Sequence, residues 1–506
     1  MTAKPTRSPA DSAAQAVTHR LATYAATTRY RDLPAEVVAA AKVAVLNIIA
    51  AAIGGSQTRI GRLHTQLARE IGGGVRQSTL IGHGARVSRP IAAYANGGLA
   101  FALDYEDVCQ YVIHAGPIVV PAALAIAEAQ RASGRNFLTA VVMGYEVGTR
   151  IGWAMQPSPE RGAQVWGQQY TPFAACAAAG NLLALSPVEM DAAFGVAGTY
   201  APVPSAYKYF GIVEETRPMR EAKLGWGWMS MAGVMGAVSA QAGFRGGHGI
   251  LDGKEGFWIM AGSDRCDFPK MTQGLGSEWL ILGTDYKLHP SIAWSHPPYV
   301  ALTRLMRENL ITPERVARVR VWNVGVSRIA DYDPQGAVDA QFSLPYAVAT
   351  TVLGEALTPA LYDERTIRSA RVRAMLKRVE CLADPAMDLD WFEKNIMRSR
   401  VEIELLDGRR LEASATFPGD KPSYGRDQVI DKLRAMADGL MGEAQIARIV
   451  HTVDRLEKLA DVTTLARLLV PMRRKRTKSP RIVKTAARRK PAVSSKRPAA
   501  PGRTRR

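Results

Sequence analysis

A chain of 506 residues that is 47% apolar can bury a sizeable core and suggests about two to four domains. The ordinary apolar content and only four cysteines exclude a disordered chain, a collagen-like fibre and a disulfide-stapled secreted module. The formal charge of +19 is concentrated at one end, because residues 471–506 hold 15 Lys or Arg and no acid, which leaves the body only mildly basic.

Residues 1–16 carry Lys4, Arg7 and Asp11 but no apolar run, so they read as a disordered lead-in and not as a signal peptide. From 17 to 268 the chain is Ala-rich with helical character, which predicts a large all-helical domain. Pro34 suits a helix start and Gly54-Gly55 a helix stop, and Leu124–Ala132, Leu138–Ile151, Phe173–Leu185 and Met229–Ala242 read the same way. The most apolar stretch, Val37 to Ile53, is broken by Lys42 and Asn47 and falls short of the roughly 18 residues of a membrane span, so no membrane partner is expected. Gly243-Phe-Arg-Gly-Gly-His-Gly lacks a preceding strand and reads as a helix-ending glycine cluster, not a phosphate loop.

Between 269 and 420 the texture changes to an α/β pattern. Val316-Ala-Arg-Val-Arg-Val-Trp alternates apolar and basic residues, and the stretch from Val401 has period two around Asp407-Gly408, a hairpin signal. Gln341–Leu357 and Thr366–Lys377 read as helices between them. Residues 421–470 return to helical patterning, in Gln428–Leu440 and Glu443–Val470, and are expected to pack back on the helical domain. The fold class is thus mainly α: a helical domain, a smaller α/β lid and a disordered basic tail from 471. Cys109, Cys176, Cys266 and Cys381 lack metal-ligand or C-x-x-C spacing, so reduced thiols, a cytoplasmic setting and no metal are expected.

The most unusual stretch runs from Ala102 to Pro117, with Asp104 and Asp107 on one face if helical and His114 in a loop before a Pro-started helix. A carboxylate beside an imidazole suits general acid–base work, although on spacing alone such carboxylates more often cap or solvate a helix end. Arg217, Arg220 and Lys223 precede one helix, and Lys287, His289 and His296 cluster further on. Cations at element ends suit substrate carboxylates, while solvated surface charge is the commoner role of any one of them. His289-Pro290 and His296-Pro297 read as rigid turns.

Ala44-Val-Leu-Asn-Ile-Ile-Ala-Ala-Ala-Ile-Gly-Gly-Ser, Ala95-Asn-Gly-Gly-Leu-Ala-Phe-Ala-Leu-Asp-Tyr-Glu-Asp, His114 leading to Val120-Pro-Ala-Ala-Leu-Ala, Gly144-Tyr-Glu-Val-Gly-Thr-Arg-Ile-Gly and Asp339-Ala-Gln-Phe-Ser-Leu-Pro-Tyr resemble the MmgE/PrpD family of 2-methylcitrate dehydratase and cis-aconitate decarboxylase type. The resemblance covers about 17 to 460 and implies a helical domain with an α/β lid, a homodimer, a site between the domains and no cofactor. It implies Asp104, His114, Lys223 and Lys287 as catalytic residues, with Arg217 as the alternative to Lys223. The chain departs from the family where a second histidine is replaced within Gln164-Val-Trp-Gly-Gln-Gln-Tyr, so that Trp166, Gln168 or Tyr170 occupies that space. Ala115 follows the first histidine in place of proline, and Ser291-Ile292 stands where a further histidine is expected.

The reading is a cofactor-independent lyase, dehydratase or decarboxylase, that moves a proton next to a carboxylate of a small di- or tricarboxylate. His114 is the acid–base group with Asp104 its partner, and Lys223 and Lys287 bind substrate carboxylates with Tyr170, Arg217, Arg220 and His296. The alternatives are an epimerase or isomerase using the same site, or a non-catalytic relative whose tail binds polyanions weakly and without sequence preference.

Overall fold

The computed structural model of the protein describes residues 16–110, 112–162, 164–206, 225–394, 396–417 and 425–472. The lead-in before Ala16 and the basic tail after Met472 lie outside them.

The described chain is mainly helical and holds two hydrophobic cores. The first is built on Ala35–Ser56, whose Ala, Val, Leu and Ile residues are all buried from Ala44 to Ile53. Around it pack Arg89–Phe101, Gly116–Gln130, Gly134–Ala154, Thr171–Leu182, Pro187–Thr199 and Trp226–Gln241. Ala35–Ser56 is long and apolar enough to cross a membrane, with 78% of its most apolar window buried inside the protein. Its two polar interruptions tie it to the C-terminal helices. Lys42 Nζ donates to Asp454 O at 2.8 Å and pairs with Glu457 at 2.6 Å, while Asn47 Oδ1 accepts from Lys432 at 2.7 Å. Arg426–Ala437 packs directly on this helix, and Val429, Leu433 and Ile449 enter the same core.

The glycine pair expected to stop Ala35–Ser56 lies in its last turn, one residue before the end, and does something more: a Cβ on Gly55 would lie 1.9 Å from Leu99 O. Gly55 therefore permits the close approach of Arg89–Phe101, the helix that leads into the candidate site. Gly55→Ala is expected to lower stability by about 1–3 kcal/mol through overpacking, read as a drop in the urea midpoint with unchanged slope.

The second core lies under a four-stranded sheet in the order Arg410–Phe417, Met397–Leu405, Val316–Asn323, Val379–Ala383. The first two neighbouring pairs are antiparallel and the last is parallel. The hairpin turns at Asp407-Gly408 as its alternation predicts, with Gly408 at φ 85°, where a side chain is strained. His296–Glu308 and Leu344–Leu353 pack against the sheet. On the other face Arg320 pairs with Glu380, Glu402 and Glu404, and Arg400 stacks 3.5 Å from the Trp322 ring centre. The parallel strand Val379–Ala383 escapes sequence reading because Val-Glu-Cys-Leu-Ala is too short to show a period.

Two helical expectations are corrected. Glu443–Val470 breaks into Glu443–Asp454, the short turn Leu456–Lys458 and Thr463–Leu468, and Thr366–Lys377 into Glu364–Ile367 and Ala370–Leu376. In the second case Ser369 starts a new helix, its side chain accepting from Val372 N.

A small device positions the site. After Arg89–Phe101 the chain reverses through Asp104, at φ 50°, into a three-residue strand Asp107–Cys109 that pairs antiparallel with Thr284–Tyr286. Lys287 N donates to Glu106 O at 3.1 Å and extends the ribbon by one step, so residues far apart in sequence become neighbours. The arrangement expected for Asp104 and Asp107, one helix face, is thus replaced by a turn and a strand. Leu103 and Tyr105 of this turn join the second core, and Gln341 Nε2 holds Ala102 O at 3.0 Å.

Candidate active site

A cavity of about 480 Å³ opens beside the ribbon, and Asp104, His114, Tyr170 and Lys287 all line it. Lys287 is almost fully buried and makes three contacts, with Asp104 Oδ1 at 3.0 Å, Glu106 Oε1 at 2.8 Å and Asp104 O at 3.1 Å. Burial opposes its charge, but the Asp104 and Glu106 carboxylates outweigh that penalty and hold its pKa above the ordinary value. An ammonium has three N–H groups, so in this arrangement none is left for a substrate. In this arrangement Lys287 is the counter-charge of the two acids.

His114 meets Glu106, not the expected Asp104. Its Nδ1 lies 2.7 Å from Glu106 Oε1 and 3.2 Å from Asp107 O, and its ring stands edge-on to Phe101 and Trp226. Both oxygens near Nδ1 are acceptors, which assigns the proton to Nδ1 and leaves Nε2 to exchange one. Glu106 is fully buried; burial raises its pKa, and Lys287 and His114 reverse the shift and bring it below the ordinary carboxylate value. Sequence reading quoted Glu106 without giving it a role, since nothing local marks it among Asp104, Glu106 and Asp107. The second oxygen of Asp104, Oδ2, is buried with no hydrogen-bond partner among the described residues.

Asp107 works behind the site. Its Oδ1 accepts from Gly116 N at 2.9 Å and its Oδ2 from the Tyr145 hydroxyl at 2.6 Å, fixing the loop that carries His114 to the start of Gly116–Gln130. Burial pushes its carboxyl up to about 6, against the pull of these donors. On the same loop, Gln168 Oε1 accepts from His114 N at 2.9 Å, and the Tyr170 hydroxyl donates to Val112 O. The segment that lacks the second histidine thus braces the first one. Tyr170 lines the cavity with its hydroxyl engaged by Val112 O, so in this arrangement it supports the loop.

His296 is not among the residues that line the cavity, although it lies close enough to feel the charges of Lys287 and Asp104. It is buried at the first turn of His296–Glu308, with Nδ1 3.0 Å from Ala293 O, and burial pushes it down to about 4. His296-Pro297 therefore opens a helix where a rigid turn was expected, because proline at the first helical position needs no donor. Arg217, Arg220 and Lys223 lie outside the described residues. Arg265, Lys270 and Lys394, to which the sequence alone gives no role, stand exposed at the cavity. Among the described residues no group of three His, Cys, Asp or Glu side chains could hold a metal ion.

Behind the ribbon a second buried lysine approaches. Lys432 Nζ donates to Asn47 Oδ1 at 2.7 Å and to Tyr105 O, and lies 3.8 Å from the Tyr105 ring centre. Burial pushes its pKa down to about 7, while Glu106 and Asp107 pull it up.

Residues 19–266 match the family model of the MmgE/PrpD N-terminal domain, and residues 289–458 that of the MmgE/PrpD C-terminal domain. A cis-aconitate decarboxylase-like protein of Aspergillus oryzae is 27% identical over 488 residues, covering 90% of this chain and 97% of its own length. Cis-aconitate decarboxylase of Aspergillus terreus is 26% identical over 494 residues, with 92% and 98% covered. The 2-methylcitrate dehydratase of Escherichia coli is 30% identical over only 76 residues, 15% of this chain and 16% of its own.

Proposed function

Because the chain belongs to the MmgE/PrpD family, we propose that it is a lyase that removes CO2 from a small unsaturated tricarboxylate, with cis-aconitate the first compound to test. The observation that carries this reading is the Glu106–His114 contact of 2.7 Å at the wall of a cavity large enough for such a molecule. Decarboxylation is favoured over dehydration because the similarity to cis-aconitate decarboxylases spans about nine-tenths of the chain and that to the dehydratase a short segment.

The chemistry follows from where charge must go. When a carboxylate on the saturated carbon next to an alkene leaves as CO2, the electron pair of the broken C–C bond forms a new double bond between that carbon and the near alkene carbon. The old π pair moves to the far alkene carbon and spreads onto that carbon's own carboxylate. A proton must reach that carbon, and His114 Nε2 is the group placed to deliver it, then recover one from water. Glu106 offsets the positive charge on the ring while it carries two protons, and Lys287 keeps Glu106 ionised for that purpose. Every transfer in this step is one that side chains can make, so no cofactor is required.

Substrate carboxylates need cations that keep N–H donors to spare. We assign them to Arg265, Lys270 and Lys394 at the rim, which spend only part of their donors on Gln156 O and Pro157 O, on Asp267 and on Asp390, together with Arg217, Arg220 and Lys223. Arg suits a bidentate grip and Lys a point contact. The test is to incubate the protein with cis-aconitate, methylcitrate and related di- and tricarboxylates in D2O containing EDTA, followed by ¹H and ¹³C NMR. Labelled CO2 with one deuteron in the product is the expected result. Water loss without CO2 would identify a dehydratase instead, exchange without bond cleavage an epimerase, and loss of activity in EDTA would refute cofactor independence.

A further inference from the structure

Lys432 is not needed to fill space in an apolar helix interface, since a methionine of similar length would do so without the cost of desolvating an ammonium. Its helix, Arg426–Ala437, packs on Ala35–Ser56, and Lys432 is not among the residues that line the cavity. Lys432 is 3% exposed, and its two bonds go to neutral oxygens, Asn47 Oδ1 on the long helix and Tyr105 O in the turn. Tyr105 sits between Asp104 and Glu106, and its hydroxyl donates to Leu288 O at 3.3 Å, one residue from Lys287. One side chain thus grips the backbone from which both carboxylates branch, and the hydroxyl of the ring beside it holds the backbone next to the lysine they share.

From this geometry we infer that Lys432 is a positioning residue for the Glu106–His114–Lys287 array, acting through Tyr105 and held in register by Asn47. The inference rests on the catalytic reading above. Two N–H donors suffice for both bonds, so the amine positions the turn whether or not it is charged. Asn47 is fully buried and its Oδ1 receives the second bond, so the register is set from the long helix and not by the ribbon alone. Glu106 reaches His114 at 2.7 Å and Lys287 at 2.8 Å, so a shift of the turn by an ångström would break both contacts. Misplacement of that size can cost roughly 10²-fold in rate.

The test compares full-length wild type with Lys432→Met and Asn47→Leu by steady-state kinetics and by NMR of histidine labelled at Cε1, the His114 signal being assigned with His114→Gln. The expected result for Lys432→Met is a fall in kcat of roughly 10²-fold, a change in KM of less than about threefold, and a shifted His114 ring signal with the other histidines unmoved. Asn47→Leu should move the same signal in the same direction with a smaller loss of kcat. Unchanged kcat, or a folded variant whose His114 signal stays in place, would overturn the inference. Should Lys432→Met fail to fold, Asn47→Leu decides it by the same two readouts. If wild type turns over no tricarboxylate, the functional reading fails, while the ring signal still tells whether Lys432 positions His114.

Discussion

Replacing His114 by Ala is expected to lower turnover by roughly 10²–10⁴, the usual worth of a positioned acid or base. Folding should change little, because the imidazole is partly open to the cavity and the loop around it is held by other groups. Gln168 holds the His114 backbone, Tyr170 holds Val112 O, and Asp107 holds Gly116 N. The loss should fall on kcat with KM nearly unchanged, since the ring transfers a proton and does not grip the substrate. His114→Ala that retains near-normal turnover would place the proton carrier elsewhere in the cavity.

Glu106→Gln carries the second large effect, on both rate and stability. An amide no longer offsets charge on the His114 ring, and turnover is expected to drop by about 10²–10⁴. The same change removes one of the two acids around Lys287 and leaves that buried ammonium with Asp104 alone, at a cost of about 1–3 kcal/mol. The pH dependence has a definite sign. The pKa of Glu106 in the fold lies below the ordinary 4.5, so its ionised form is favoured by folding. Its contribution is therefore present above about pH 4.5 and is lost as pH falls through the lower folded value. Urea unfolding should show Glu106→Gln less stable than wild type at neutral pH, with the gap narrowing in acid. A constant gap would mean that Glu106 is not held as an anion.

What could be read from the sequence follows the distance over which each contact acts. The helices of the first half, the strand from Val316 and the Asp407-Gly408 hairpin are local patterns, and they carry the mainly α fold with a smaller sheet region. Asp104, His114 and Lys287 were picked out by spacing and resemblance, and the structure gathers them at one cavity. Which acid meets the histidine was not legible, because three carboxylates lie within four residues and the choice is made by a ribbon whose other strand is about 180 residues away. The saturation of Lys287 and the reach of Lys432 to Tyr105 belong to the same class of long-range contact. Gly54-Gly55 ends its helix within one residue, as read, but its second role in a close helix crossing was not legible, because only Leu99 O reveals it. His296 looked like a site residue because it is close in sequence to Lys287, yet a proline-started helix turns it into the interior.

The central claim is that Glu106 and His114 act as a pair on a tricarboxylate held in the cavity. The most direct measurement is calorimetric binding of the substrate to wild type, Glu106→Gln, His114→Gln and the double variant, alongside CO2 release and deuterium uptake by the same preparations. The expected result is binding within about threefold of wild type in all variants, with turnover lost by roughly 10²–10⁴ in each single variant and little more in the double, because the two residues act as one unit. Losses that simply multiply in the double variant, or variants that still release CO2 at the wild-type rate, would contradict it.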